Sequence, residues 1–199
     1  MWSEILLILS SLFAILLLIR KLKSNKKIQV ISYLLPVTLI VYATDSFFHI
    51  TGLIVSFDVW IVIIATILAL VFLLLSVNEL KPEHLRYSDS YNFIPFLALP
   101  ILFFMMETGN LLNIVIMLLQ GTGLIVLILF GLLYSSRTNQ PAILTTGVIL
   151  LISAFLFNWF GQFEDIYIDN IVKSSVGVAA MFLAYSIPPV INQSEEDRR

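Results

Sequence analysis

Cysteine is absent from the 199 residues. That excludes disulfides, thiolate zinc sites, Cys-ligated iron–sulfur clusters and cysteine nucleophiles. Charge is nearly as scarce. Lys, Arg, Asp and Glu together make up 12 % of the chain, where a soluble domain carries about 25 %. Histidine occurs only at His49 and His84. A zinc centre needs three or four ligands, so His49 would have to recruit carboxylates such as Asp45 and Asp58, and no metal site is assigned. The net charge of −2 gives no basis for nucleic acid as a partner. Strand alternation is missing from the apolar runs, which argues against a β-barrel.

What the chain has instead is apolar length. Apolar residues make up 59 %, with a mean hydropathy of +0.99. A spanning helix needs about 20 mostly apolar residues. Seven candidate segments answer that description: 4–19, 28–49, 53–77, 91–106, 110–134, 141–160 and 166–189. The first is followed, not preceded, by its positive charges in "RKLKSNKK". It is therefore read as an uncleaved helix rather than a signal peptide. Most connections are short, which implies antiparallel neighbours in one bundle. The expected fold is all-α: a seven-transmembrane-helix bundle over residues 1–190, with a polar tail over 191–199.

Basic residues set the expected orientation, because Lys- and Arg-rich short loops stay in the cytoplasm. "RKLKSNKK" places the N-terminus outside. Lys81, Arg86, Arg137, Arg198 and Arg199 then fall inside by alternation, and the C-terminus with them. Lys173 is the one exception. The expected setting is a multi-pass protein of a prokaryotic plasma membrane, with the lipid bilayer as its first partner.

The polar residues gather at the outer end. Glu4, Asp45, Asp58, Glu107, Glu164, Asp165 and Asp169 lie there, with His49 and the amides Asn110, Asn113, Asn158, Gln162 and Asn170. Lys173 sits about 10 Å into the last helix at 1.5 Å per residue. An ammonium at that depth needs a partner. Asp169 is four residues earlier, on the same helix face. Two readings stay open. Lys173 is a member of a structural ion pair, or it is a functional group that binds an anion, relays protons or reacts with a carbonyl. Asp45 and His49 repeat the four-residue spacing in the second helix. Gln120, near the bilayer centre, reads as an amide that bonds across to a neighbouring helix.

Two windows resemble the microbial rhodopsins: "DNIVK" in the last helix, and "RYSDSYNFIP" with Arg86, Tyr87, Asp89 and Pro95. The resemblance would imply a retinal-bearing Lys173 with Asp169 one turn before it. The order of segments departs from that family, since three spans precede "RYSD" here rather than two. The seven-helix zinc hydrolases carry histidines in their last helix, and this chain has none there. No family is assigned and no cofactor is implied.

The function expected from these residues is a receptor-like or accessory binding module. It would hold a small molecule or a membrane-protein partner in a polar, acidic cavity at the outer face. The ligand-binding set is Asp45, His49, Asp58, Glu107, Asn158, Asp169 and Lys173. The alternatives are a small proton-coupled carrier and an intramembrane hydrolase built on Asp45 and His49.

Overall fold

The computed structural model describes residues 2–23, 26–50, 58–81, 83–105, 109–134, 138, 140–161 and 165–196. It is all-α. Seven α-helices follow one another: α1 (Trp2–Lys21), α2 (Lys26–Ile50), α3 (Asp58–Leu80), α4 (Ala98–Met105), α5 (Gly109–Tyr134), α6 (Pro141–Phe160) and α7 (Asp165–Glu196). All but α4 are long and apolar enough to cross a membrane.

The fourth apolar segment differs from the rest. It starts as a nine-residue 3-10 helix, Asp89–Leu97, and becomes α-helical only over Ala98–Met105. Pro95 and Pro100 explain this in part. Each lacks an amide hydrogen to donate to the preceding turn. The last helix also departs from expectation. It runs through Pro188 and Pro189 to Glu196, so the helix continues into the polar tail. Val190 and Ile191 are fully buried there, and that packing holds the helix together past the two missing amide donors.

The six long helices close a ring. α1 packs on α2, α2 on α3, α3 on α5, α5 on α6, α6 on α7, and α7 returns to α1. The 3-10 segment packs against α3, and α4 packs on the 3-10 segment and on α5.

The chemistry of α1 shows why the bundle needs lipid. Its exposed side is Trp2, Ile5, Leu6, Leu9, Leu12, Phe13, Leu16 and Ile19. Its buried side includes Ser3, Glu4, Ser10, Ser11 and Ala14. Leu7 and Leu18 are buried as well, but small and polar residues make up most of the inward side, and the outward side is large and apolar. Water would penalise that outer surface, whereas in a bilayer small residues are what let helices approach closely.

One end of the bundle is tied by polar bonds among its basic loops. Lys27 pairs with Asp89 at 2.7 Å. Arg86 donates to the carbonyls of Lys81 and Glu79 at 2.9 and 2.8 Å. Asn192 of α7 closes the end of α1. Its Oδ1 accepts from the Lys23 amide at 2.9 Å, and its Nδ2 donates to the Lys21 carbonyl at 2.7 Å. Helix ends leave carbonyls without partners, and here a side chain from a distant helix supplies one. We expect Asn192→Leu to cost about 1–2 kcal/mol, the loss of two hydrogen bonds. Hydrogen exchange should speed up at the Lys23 amide and leave the centre of α1 unchanged. Unchanged exchange at Lys23 would show that the bond carries no stability.

Candidate functional site

The opposite end of the ring holds Lys173. The ammonium is 3 % exposed, and the Glu4 side chain beside it 1 %. Nζ donates to Glu4 Oε1 at 3.0 Å, to Ser46 Oγ at 2.6 Å and to Asp169 Oδ2 at 2.5 Å. An ammonium has three donors, so all are used. The three acceptors come from α1, α2 and α7. Ser3 extends the network: its Oγ lies 2.6 Å from Asn170 Oδ1 and 3.1 Å from Glu4 Oε2, and its single hydroxyl hydrogen serves one of the two at a time. The Tyr42 ring lies 5.6 Å from Nζ, within cation–π range.

Local sequence dictates each placement. Asp169 and Lys173 are one turn apart on α7, acid before base, the favourable order. Glu4 stands in the first turn of α1, where the helix dipole favours an anion. Lys173, Gly177 and Ala184 share a face of α7, and the bare Cα of Gly177 lets α1 come close. A Cβ on Gly177 would collide with Ser10 Oγ and lie 3.3 Å from Leu7 Cα. The close approach brings Glu4 within reach of the ammonium.

Inside the ring lies a cavity of about 490 Å³. All six long helices line it, and its residues run from Asn113 to Leu127 on α5 and from Val172 to Ile187 on α7. At 1.5 Å per residue that is a length of about 20 Å. Lys173 is the single charged residue among the described lining residues. The wall is mainly Leu, Ile, Val, Ala and Phe.

Among the described residues the cavity wall carries no carboxylate. Carboxylates need hydration or a cation, and the described ones find these away from the cavity wall. Glu4 and Asp169 sit with Lys173, and the Asp169 side chain keeps 45 % of its surface exposed. Asp45 has an interaction partner of its own and does not line the cavity. Of the predicted set, Lys173 and Asn158 line it. The side chains of His49 and Asp58 lie outside the described residues, and so does Glu107 altogether.

Polarity within the cavity is graded along its length. Asn113, Asn158, Trp159, Tyr42 and Lys173 lie toward the Lys173 end. Gln120 stands two turns further in on α5, and its Oε1 accepts from Trp159 Nε1 at 2.7 Å, the cross-helix bond its position implied. Deeper hydroxyls are tied back to their own helices. Ser32 donates to the Gln29 carbonyl and Thr66 to the Val62 carbonyl. Leu22, Ile28, Leu75, Phe130, Val190 and Ile191 pack together beyond the lining residues, toward the basic end.

Sequence reasoning named Glu4 among the outer acids but left it out of the site. It missed Ser46 and Tyr42. The signal for all three was weak, because each needs the order of helices around the ring. No protein-family model, curated protein or solved structure matches this chain.

Proposed function

We propose that this integral membrane protein is a receptor-like or accessory module that binds an apolar small molecule inside its helix bundle. The observation that carries the reading is the cavity itself. It is lined by all six long helices, is partly open, has a volume of about 490 Å³, and falls within the roughly 300–1,000 Å³ typical of ligand sites. The packed apolar cluster toward the basic end favours a binding site over a transport path.

In this reading the chain spans the membrane seven times. Nine 3-10 residues at about 2.0 Å and eight α-helical residues at about 1.5 Å reach about 30 Å, the thickness of the hydrocarbon core. The segment from Asp89 to Met105 thus has the length of a span despite its few residues. The basic end faces the cytoplasm of a prokaryotic cell, and the Lys173 end faces outward.

Lys173 acts as a tie between α1, α2 and α7 rather than as the anchor of an anionic ligand. Its donors are all taken, by Glu4, Ser46 and Asp169.

Protein purified in mild detergent should retain a defined small molecule in native mass spectrometry. Ala65→Phe, which projects a ring into the cavity from α3, should release it without lowering the unfolding midpoint. The same adduct mass in wild type and variant would overturn the proposal.

A further inference from the structure

The cavity is exposed at one end. Among its described lining residues, Val59, Asn113 and Asn158 are the exposed ones, and every other is buried or half-buried. Each of the three stands near a helix end. Val59 is the second residue of α3, Asn113 the fifth of α5, and Asn158 the third from the end of α6. These helices are consecutive around the ring, and the three residues lie toward the Lys173 end. The other half of the ring, α7, α1 and α2, is the half that Lys173 ties together. The exposed residues therefore mark a mouth on the untied half.

Polarity changes inward from that mouth. Asn113 and Asn158 present neutral amides, which donate and accept alike, and their exposure near helix ends keeps them open to water. Trp159 and Gln120 come next, already bonded to each other. The deeper lining residues Leu18, Phe72, Leu127 and Ile187 are apolar and buried. A molecule polar throughout would lose its hydration there without replacement. A molecule with an apolar body and one polar end would bury the body, which is the favourable transfer. Its polar end would stay at the mouth, beside the amides and water. A body drawn out along about 20 Å fits the space from Asn113 to Leu127.

We infer that an amphiphile enters this cavity tail first, through the mouth between Val59, Asn113 and Asn158, and rests with its chain along the deeper wall and its polar end beside the two amides. The amides are uncharged and set no sign for that end. A lipid already in the bilayer and a free amphiphile in solution share this chemistry. The inference rests on the ligand-binding reading above and adds the route and the class of ligand.

Thiol labelling tests the route, because the chain has no cysteine of its own. Ala184 lines the cavity and is 6 % exposed. It lies about 16 Å beyond Lys173 along α7. Ala184→Cys in phosphatidylcholine vesicles should react with a hexadecyl maltoside that carries methanethiosulfonate at its tail end. The isomer with the reactive group at its head should label Asn158→Cys instead. Val59→Trp/Asn158→Trp narrows the mouth and should slow the Ala184→Cys reaction at least tenfold. Ser90→Cys, exposed and outside the cavity, should react at one rate with or without the mouth substitutions. Reagent preloaded in the bilayer and reagent added in solution give separate rates, and the faster identifies the source.

An unchanged Ala184→Cys rate in the mouth variant overturns the inference. So does faster labelling of Ala184→Cys by the head-reactive isomer, or no labelling there by either reagent. If Ala65→Phe stops the labelling while the mouth substitutions do not, the amphiphile enters the cavity by another route. The inference then fails and the ligand-binding reading stands. If Ala65→Phe leaves the rate unchanged, the reagent reaches Ala184→Cys from outside the cavity, and the ligand-binding reading fails with the inference.

Discussion

Replacing Lys173 by Met should destabilise the bundle by about 3–5 kcal/mol, the cost of breaking a buried ion pair from one side. The asymmetry of the cluster predicts where that cost arises. Asp169 keeps nearly half its side-chain surface exposed and stays solvated without its partner. Glu4 is 1 % exposed and would lose the Lys173 ammonium where water cannot replace it. The second substitution therefore matters more than the first. Glu4→Gln on top of Lys173→Met should recover most of the loss, since a neutral amide can keep Ser3 as its partner. Asp169→Asn on top of Lys173→Met should recover little. Thermal unfolding in detergent measures all of these, with a drop for the single variant on the order of 10 °C. Equal rescue by the two second-site changes would contradict the burial argument. No loss in Lys173→Met would remove Lys173 as a structural tie.

Gly177→Leu should be at least as damaging, by a different route. Even a Cβ at this position collides with Ser10 Oγ and approaches Leu7 Cα to 3.3 Å. Ser10 can rotate, losing its 3.0 Å bond to the Leu7 carbonyl. The Leu7 backbone cannot yield without moving α1. Overpacking of this kind costs about 1–3 kcal/mol for a small addition. Leucine adds three further carbons and should exceed that range by forcing α1 and α7 apart. The separation also pulls Glu4 from Lys173, one turn away on the same face, so the two losses couple. Gly177→Leu combined with Glu4→Gln should then be less destabilised than the sum of the single changes. Gly121→Ala is the control, since its Cβ would meet Phe155 at an ordinary 3.7 Å. That variant should unfold within about 0.5 kcal/mol of wild type. A tolerant Gly177 beside a sensitive Gly121 would show that the α1–α7 contact is misassigned.

The fold class was legible because apolar length is a one-dimensional signal. Six runs of at least 18 mostly apolar residues appear as six long helices, and the breaks between them fall near charge, Gly, Pro or Asn. The pairing of Lys173 with Asp169 was equally legible, because four residues is one helical turn whatever the rest of the chain does. The same local logic anticipated a cross-helix bond for Gln120. It did not anticipate a 3-10 helix over Asp89–Leu97, where packing on α3 and the prolines set the backbone against a purely apolar background.

The character of the site was not legible, and the reason is geometric. A sequence places acids and amides at one end of the helices, but it does not say which way each side chain turns. The expected acidic cavity followed from counting carboxylates at that end. In the folded chain Glu4 and Asp169 turn to Lys173, and apolar side chains line the cavity between the helices. The sequence alone determined that this protein is a helical membrane bundle with a lysine needing a carboxylate one turn away. Only the tertiary structure decided that α1 completes the cluster, because Gly177 leaves room for α1 at the place where Glu4 can reach Nζ. Contacts between residues 169 positions apart depend on the order of helices around a ring, and that order is a property of packing.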